Sequence, residues 1–246
     1  MENGIVFGRI PVLEYLRSGL ATSSTTLLIA SGIKENSLTE ITSLSKKRGV
    51  RSERADKDRL EKLCGGDKNH QGIALINCPL YPEFEENQLE AIASNKGIVL
   101  ILDQLTDPHN IGAIIRSAEA FGCKGVIITK DNSASVTSTV IKSSAGASAY
   151  MPLMKVTNLA RTIDLLKDKG FWIIGSSDKG QESMSKISEY SPLAIVIGSE
   201  GTGMRDLTEK KCDLVVRIEL TGKVSSLNAS VAASILLYEA STRIKK

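Results

Sequence analysis

The apolar residues of the second part of the chain come in continuous runs rather than in alternation. Such runs occupy positions 98–102, 125–128, 171–174 and 193–197. Strands of this kind are buried on both faces, as in a parallel sheet covered by helices. Segments with helical spacing lie between them, at 110–121 and 158–169, and a glycine follows each one. The pattern predicts a doubly wound α/β domain over residues 97–246.

The first part of the chain has shorter elements. The pattern predicts a strand at 26–29 and a closing strand at 72–76, with helices at 12–16, 38–47 and 57–63. Residues 79–96 contain two prolines and an acidic cluster, which predicts a linker running into a short helix. We therefore expect a small α/β domain at 1–78, a linker at 79–96 and a larger domain at 97–246.

Charge and aromatic content narrow the possible partners only slightly. The aromatic share of 4% argues against rows of aromatic side chains that stack on single-stranded nucleic acid. The formal net charge of +3 is only weak evidence for a negatively charged partner. Residues 46–54, however, hold five basic side chains and one acidic one. A solvated helix end and turn is the favoured interpretation of this run, and a phosphate-contacting patch is the alternative.

Cysteine and histidine positions predict neither disulfides nor a metal site. Four cysteines lie far apart without a C-x-x-C pair, and two histidines are too few and too distant to form a recognisable metal site: Cys64, Cys78, Cys123, Cys212, His70 and His109. The chain shows no leader pattern and no apolar run of about 18 residues, as a membrane span requires. We expect a cytoplasmic protein with reduced thiols, no metal and no contact with a membrane.

Three segments that follow predicted strands have unusual chemistry, and ligands of open parallel sheets bind at such strand ends. The first segment is 102–112, with Arg116 further along its helix. Arg116 falls off the apolar stripe, above Gly112, and leans back toward Asn110. Arginine, asparagine and free N–H groups at a helix start predict an anion site. The alternative is a surface Arg116 paired with Glu119, and the space above Gly112 favours the ligand site.

The second segment, 197–204, has three glycines within six residues directly after a buried strand. Glycines allow a backbone to approach a ligand closely. The spacing differs from the dinucleotide fingerprint and from a P-loop. Glu200 either bonds a hydroxyl or amide of a substrate, or faces the first turn of the next helix.

The third segment, 217–235, contains a predicted strand at 214–220, a break at Gly222 and a helix over 229–242. Ser226 or Asn228 is the candidate cap of this helix. Leu227, between two polar residues, is placed to contact a flat apolar group. The helix is apolar almost all round, which predicts burial inside the domain or in a homodimer interface.

Taken together, the three segments resemble the three motifs of the SpoU/TrmH family of RNA ribose 2′-O-methyltransferases, in the SPOUT superfamily. The resemblance covers about residues 97–244, and the N-terminal region ending in His70-Gln-Gly-Ile resembles the ribosomal-protein-like substrate-binding module of that family. Residues 106–110 and 156–162 resemble the branch that acts on a guanosine of 23S rRNA.

This resemblance implies an α/β fold in which a C-terminal parallel-sheet domain with a trefoil knot follows a small α/β substrate-binding domain. It implies a cytoplasmic homodimer that binds RNA and S-adenosylmethionine. The implied cofactor-binding residues are Gly198, Gly203, Ile218, Leu220 and Leu227. The implied catalytic residues are Arg116, Asn110, Glu200, Ser226 and Asn228.

The chemistry of arginine refines the role expected for Arg116. Because a guanidinium stays protonated in nearly any protein site, we expect a phosphate clamp and electrostatic stabiliser rather than a base. A water or a phosphate oxygen then takes the proton. Two other functions remain open at this point: methylation of tRNA or of another rRNA site, and RNA binding without catalysis. An oxidoreductase is disfavoured because the fingerprint glycines are absent.

Overall fold

The computed structural model describes residues 2–66, 68–131 and 133–242, which form two compact units. The first unit comprises Met1–Pro82 with Val136–Tyr150, and the second comprises Glu83–Ser135 with Met151–Lys246. The segment 136–150 falls inside the predicted domain 97–246, yet its contacts group it with the first unit. No pattern in the sequence of this segment predicts that it belongs to the first unit.

The helices and strands alternate along most of the chain. In chain order they are β1 (Asn3–Phe7), α1 (Arg9–Ser18), β2 (Thr26–Ala30), α2 (Thr39–Lys47), β3 (Arg51–Ala55), α3 (Lys57–Leu63), β4 (Ile73–Pro79), α4 (Leu89–Ser94), β5 (Ile98–Asp103), α5 (Pro108–Ala120), β6 (Gly125–Thr129), α6 (Ser138–Ser143), β7 (Leu153–Val156), α7 (Leu159–Asp168), β8 (Trp172–Ser176), β9 (Glu182–Ser183), β10 (Leu193–Gly198), α8 (Asp206–Lys210), β11 (Leu214–Arg217) and α9 (Ala229–Ser241).

The first unit is built on a mixed sheet, which among the described residues has four strands in the order β1-β4-β2-β3. β4 runs antiparallel to both of its neighbours, whereas β2 and β3 are parallel. Tyr15 of α1 is fully buried, and its hydroxyl donates to the carbonyl of Leu80 and bonds Ser148, 3.0 Å away. This contact joins the segment 136–150 to the core of the first unit.

The helices and strands predicted for the first 78 residues are all present, but the interpretation of residues 46–54 is wrong in part. Lys46 and Lys47 end α2 as expected, whereas Arg51–Ala55 form strand β3. β3 pairs only with β2 in the described sheet, so most of its charged side chains face solvent. Charged side chains on an edge strand discourage pairing with other chains, and they also hide the strand from a search for apolar patterns.

The second unit confirms the predicted parallel sheet. The described part of the chain places seven strands in the order β7-β6-β5-β10-β8-β11-β9, and every pair is parallel. All six residues of β5 are buried, as a continuous apolar run in a covered sheet requires. The trefoil knot stays a prediction.

The register of this sheet brings the three segments of interest to one edge. β5 and β10 are neighbours, with Asp103 opposite Gly198 at their carboxyl ends. Val216 of β11 lies opposite Ser176 of β8, which lies opposite Ile197 of β10. The segments that follow β5, β10 and β11 therefore leave the sheet at the same edge.

One predicted boundary near this edge is wrong. The strand expected over 214–220 ends at Arg217, and residues 218–227 are in neither helix nor strand. Among the described residues, no helix is both long enough and apolar enough to span a membrane.

Candidate active site

Helix α5 places Asn110 at the edge of the sheet. The Asp107 side chain caps the helix by accepting a hydrogen bond of 2.9 Å from the His109 N–H, and proline occupies the first turn. The predicted apolar stripe of this helix is buried. Asn110 lies in the first turn on the buried side and is 7% exposed, so its amide must find polar partners inside the protein.

The glycine loop after β10 places Glu200. Ser199 and Gly203 exchange two backbone hydrogen bonds of 3.0 Å, and Gly201 has a φ of +88°. A Cβ on Gly198 would lie 2.2 Å from the carbonyl carbon of Gly203. The loop therefore folds back on the strand end so tightly that position 198 has no room for a side chain.

Helix α9 places Asn228, which settles the choice between the two candidate caps. The Oδ1 atom of Asn228 accepts hydrogen bonds from the N–H of Ser230 at 3.0 Å and of Val231 at 3.4 Å. Ser226 is exposed and caps nothing. With its oxygen used by the cap, Asn228 has its Nδ2 group available to donate elsewhere.

These three side chains form one hydrogen-bonded cluster, which we call the Asn110–Glu200–Asn228 cluster. Glu200 Oε1 accepts from Asn110 Nδ2 at 3.1 Å, from Asn228 Nδ2 at 2.5 Å and from the Ala229 N–H at 3.1 Å. Asn228 Nδ2 also lies 2.9 Å from Asn110 Oδ1. A carboxylate at the start of a helix is favourable, and Glu200 occupies this position for α9, not for α8 as its alternative interpretation supposed.

Arg116 lies outside this cluster. It is exposed on α5, six residues after Asn110, which corresponds to about 9 Å along the helix axis. Among the described residues its guanidinium has neither an ion pair nor a hydrogen bond, so the alternative pairing with Glu119 is wrong. Ser226 is likewise exposed and has no hydrogen-bond partner in the described part of the chain.

The residues implied for the cofactor lie on two segments of the same edge. Since β8 separates β10 from β11, the ends of these two strands are about 10 Å apart. Ile218 and Leu227 are half-buried, and Leu220 is 37% exposed. Apolar side chains that remain accessible within a polar segment are typical of a ligand site. Together with the bare backbone of Gly198, they fit a flat apolar ring such as adenine.

One contact at this edge was not predicted from the sequence. Asp103, at the end of β5, is fully buried and accepts hydrogen bonds from the backbone N–H of Arg205 at 3.0 Å and from its Nε at 2.8 Å. The Nη2 atom of Arg205 lies 2.7 Å from the same carboxylate. This ion pair, of which only the carboxylate is buried, fastens the far end of the glycine loop to β5. The two residues are 102 positions apart, and no local pattern links them.

Comparisons with known proteins cover both parts of the chain. The model of the SpoU rRNA Methylase family matches residues 97–238, and the model of the RNA 2′-O ribose methyltransferase substrate-binding domain matches residues 5–81. A protein of Staphylococcus saprophyticus, assigned to the TrmH family of tRNA/rRNA methyltransferases, is 42% identical over 241 residues, which cover 97% of this chain and 95% of that protein. A Staphylococcus aureus protein with the same assignment is 42% identical over 242 residues, covering 97% and 96%.

Solved structures share the fold. The SpoU methyltransferase AviRb of Streptomyces viridochromogenes superposes with a TM-score of 0.82 at 24% identity, covering 99% of this chain and 90% of that one. The AdoMet-bound rRNA methyltransferase of Sinorhizobium meliloti superposes with a TM-score of 0.78 at 21% identity, covering 97% and 86%. S-adenosylmethionine is the cofactor of the family, and AviRb has also been solved with it. The chain belongs to the SpoU (TrmH) family of S-adenosylmethionine-dependent tRNA/rRNA methyltransferases.

Proposed function

We propose that this protein transfers a methyl group from S-adenosylmethionine to the ribose 2′-hydroxyl of a nucleotide in RNA, and that its target is a guanosine of 23S rRNA. The observation that carries the proposal is the Asn110–Glu200–Asn228 cluster. It joins three segments that lie far apart in the sequence, and the same helix α5 carries Arg116, a cation without an ion pair among the described residues. Such an arrangement suits a substrate that brings both a hydroxyl and a phosphate.

The residues at the ends of β10 and β11 hold the cofactor in this proposal. Gly198 and Gly203 leave backbone rather than side chains at the pocket wall, so a ligand can approach closely. Ile218, Leu220 and Leu227 pack against the adenine ring. S-adenosylmethionine supplies a methyl group already activated on a sulfonium.

Arg116 and the cluster act on the RNA. The Arg116 guanidinium clamps a phosphate next to the target ribose, because it is permanently charged and has no ion pair among the described side chains. The same charge stabilises the negative charge that grows on the 2′-oxygen. The proton leaves to a water or to a phosphate oxygen. Asn110, Ser226 and Asn228 orient the ribose.

Glu200 is a positioning residue in this scheme. One of its oxygens accepts three N–H groups, which fixes Asn110, Asn228 and the start of α9 relative to one another. Glu200 therefore holds geometry rather than moving protons.

The RNA target rests on two similarities. Residues 106–110 and 156–162 resemble the branch that acts on a guanosine of 23S rRNA. The substrate-binding model that matches residues 5–81 supports ribose 2′-oxygen as the acceptor. The second candidate is methylation of tRNA or of another rRNA site, which the tRNA/rRNA assignment of the relatives supports.

Helix α9 supports assembly into a homodimer, which in our proposal acts in the cytoplasm. Val231 and Tyr238 are 45% and 59% exposed, and Ile235 between them is half-buried. These side chains follow one another at helical spacing, so they form a single apolar stripe. A second copy of the chain covers this stripe in our proposal.

The test is transfer of tritiated methyl from S-adenosylmethionine to unmodified total RNA, followed by mapping of the blocked 2′-hydroxyl. We expect label in 23S rRNA at one guanosine, and loss of label with Arg116→Ala as the matched control. Label in tRNA supports the second candidate, and a methyl on a base nitrogen contradicts the reaction. Absence of both label and cofactor binding by calorimetry supports an RNA-binding protein without catalysis.

A further inference from the structure

A cavity of about 550 Å³ lies in the second unit along β7, the edge strand of the parallel sheet. Segment 84–86 forms one wall, and the first turns of α7 form another. None of the residues assigned above to the cofactor or to the reaction lines it. Its volume falls within the range of about 300–1,000 Å³ that is typical of small-ligand sites.

The floor of this cavity is apolar and includes an aromatic ring. Phe84, Met154 and Val156 are 3%, 7% and 9% exposed. The Phe84 N–H donates to the Leu153 carbonyl at 3.0 Å, and a Cβ on Gly125 would lie 2.7 Å from the Phe84 ring. The Phe84 ring therefore packs against the Gly125 backbone, which has no side chain there, and it forms part of the buried apolar base of the cavity.

The rim of the cavity is basic. Lys130 and Arg161 are exposed, and within the described residues their side chains have no hydrogen bond and no ion pair. Lys155 adds a third basic side chain. Two acidic residues, Glu85 and Glu86, also line the rim. Glu85 caps the short 3-10 helix Glu86–Gln88, and its carboxylate accepts a hydrogen bond from the Gln88 backbone in a capping box. The rim therefore offers two cations at positions open to solvent.

An amide donor lies beside these cations. Asn158 caps α7 by accepting the Arg161 N–H at Oδ1, 3.0 Å away. Its Nδ2 has no hydrogen-bond partner in the described part of the chain. Cations combined with an amide donor at the mouth of an apolar cavity match the phosphate and the base edge of a nucleotide.

The cavity opens at the edge of the sheet that carries the candidate active site. Lys130 directly follows β6 and Thr157 directly follows β7, and both strands run parallel to β5. β6 lies between β7 and β5, so the ends of β7 and β5 are about 10 Å apart. Neighbouring nucleotides of one RNA strand can span such a distance.

We propose that this cavity binds a nucleotide of the substrate RNA close to the methylated one, with its base in the cavity and its phosphate between Lys130 and Arg161. The inference rests on the proposed function and adds a specificity site to it. An acidic peptide also suits a basic rim, but the position of the cavity at the edge that carries the candidate active site favours RNA.

The test compares two double variants of equal charge in the full-length protein. Lys130→Ala with Arg161→Ala removes both rim cations. Lys124→Ala with Lys210→Ala is the control, because Lys124 precedes β6 at the opposite edge, Lys210 ends α8 before β11, and both are exposed. A third variant, Thr157→Trp, fills the mouth of the cavity from an exposed position without changing charge.

The probe is in vitro transcribed 23S rRNA, with RNA binding measured by filter retention at several salt concentrations. We expect the rim variant to raise the Kd and the KM for RNA about tenfold, and to reduce the salt slope of log Kd by about 0.7, the contribution of one single-strand phosphate contact. Thr157→Trp should raise the KM similarly while the salt slope stays unchanged. The Kd for S-adenosylmethionine and the kcat should stay within twofold.

Equal effects of the rim and control variants on RNA binding would mean that only net charge matters, which overturns the proposal. Wild-type affinity in Thr157→Trp also overturns it. Failure of the proposed function looks different: the wild-type protein then transfers no methyl to any RNA, while the binding comparison still tests the cavity.

Discussion

At the scale of single residues, one polar side chain of the site can carry several roles. Asn228 uses Oδ1 to cap α9 and Nδ2 to contact Glu200 and Asn110. These two roles reside on different atoms of one side chain. They can therefore be separated by substitution.

Asn228→Ser should keep the cap and remove the amide donor, whereas Asn228→Ala should remove both. Serine caps a helix about as well as asparagine, and alanine costs about 1 kcal/mol. For a chain of this size that loss lowers the Tm by roughly 2–4 °C. We expect near-wild-type thermal unfolding for Asn228→Ser only, and at least tenfold slower methyl transfer for both variants. Full activity in Asn228→Ser would show that Nδ2 has no part in the reaction.

Arg116 gives the complementary case, because its exposed side chain has no partner among the described residues to lose. Arg116→Ala should unfold at the wild-type temperature and bind S-adenosylmethionine as the wild type does, yet its kcat should fall about 100- to 1,000-fold, as when an oxyanion donor is removed. Arg116→Lys keeps the charge without the planar fork, so we expect at least a tenfold loss. Near-normal turnover in Arg116→Lys contradicts the bidentate clamp.

Three of the four cysteines, Cys78, Cys123 and Cys212, should be unreactive in the folded protein. Burial raises the pKa of the Cys123 thiol to about 11, and that of Cys78 and of Cys212 to about 12. Because the thiolate is the reactive form, iodoacetamide at pH 8 should leave these three unmodified and should label them once guanidinium unfolds the chain. Peptide mass spectrometry distinguishes the two states. Rapid labelling of Cys212 in the folded protein would be the contrary result.

Residue-level prediction succeeded where one local pattern determined the outcome. The off-stripe position of Arg116 follows from helix periodicity, and Asn228 was one of the two predicted caps of α9; the structure has both. The Asp103–Arg205 pair and the sharing of Glu200 between two helices follow from strand register instead. A sequence read in one dimension does not contain that register.

At the scale of elements, the glycine loop is the most constrained part of the site. Gly198→Ala would place a Cβ 2.2 Å from the carbonyl carbon of Gly203. Since backbone cannot yield as a flexible side chain does, we expect a loss of stability of about 1–3 kcal/mol and at least tenfold weaker binding of S-adenosylmethionine.

Gly32→Ala is the matched control for this substitution. Its φ is not positive and no atom lies within 4 Å of an added Cβ, so it should leave both properties unchanged. Calorimetry with S-adenosylmethionine and thermal unfolding measure the two effects. Wild-type cofactor binding in Gly198→Ala would remove the loop from the proposed pocket wall.

The central strands of the parallel sheet were the predictable ones. The continuous apolar runs became β5, β6, β8 and β10, because strands covered on both faces need apolar side chains throughout. β3 was missed because its side chains are mostly charged, and β11 was predicted too long because residues 218–220 look like a strand yet pair with nothing described. Whether an edge strand forms, and how far it extends, depends on its neighbours in the sheet. A central strand can be predicted from its apolar composition.

At the scale of the whole molecule, the stripe on α9 predicts self-association. Val231→Asp introduces a charge into this stripe, and near a helix start that charge is tolerated by the monomer. Sedimentation equilibrium should show a dimer for the wild type and mostly monomer for the variant, with unchanged circular dichroism. Ile10→Asp, at a position that is 61% exposed on α1, is the control and should stay dimeric. A monomeric wild type contradicts the prediction.

The division of the chain into units has a consequence for fragments. The chain leaves the second unit after Ser135 and returns at Met151, and the intervening segment buries Val140 and Ile141 in the first unit. A backbone cut between Pro82 and Glu83 therefore separates the chain covalently, but one of the resulting pieces still contributes part of the other's core. The protein is thus a natural split pair: fragments 1–82 and 83–246 should reassemble on mixing, whereas 83–246 alone should expose that apolar segment and aggregate.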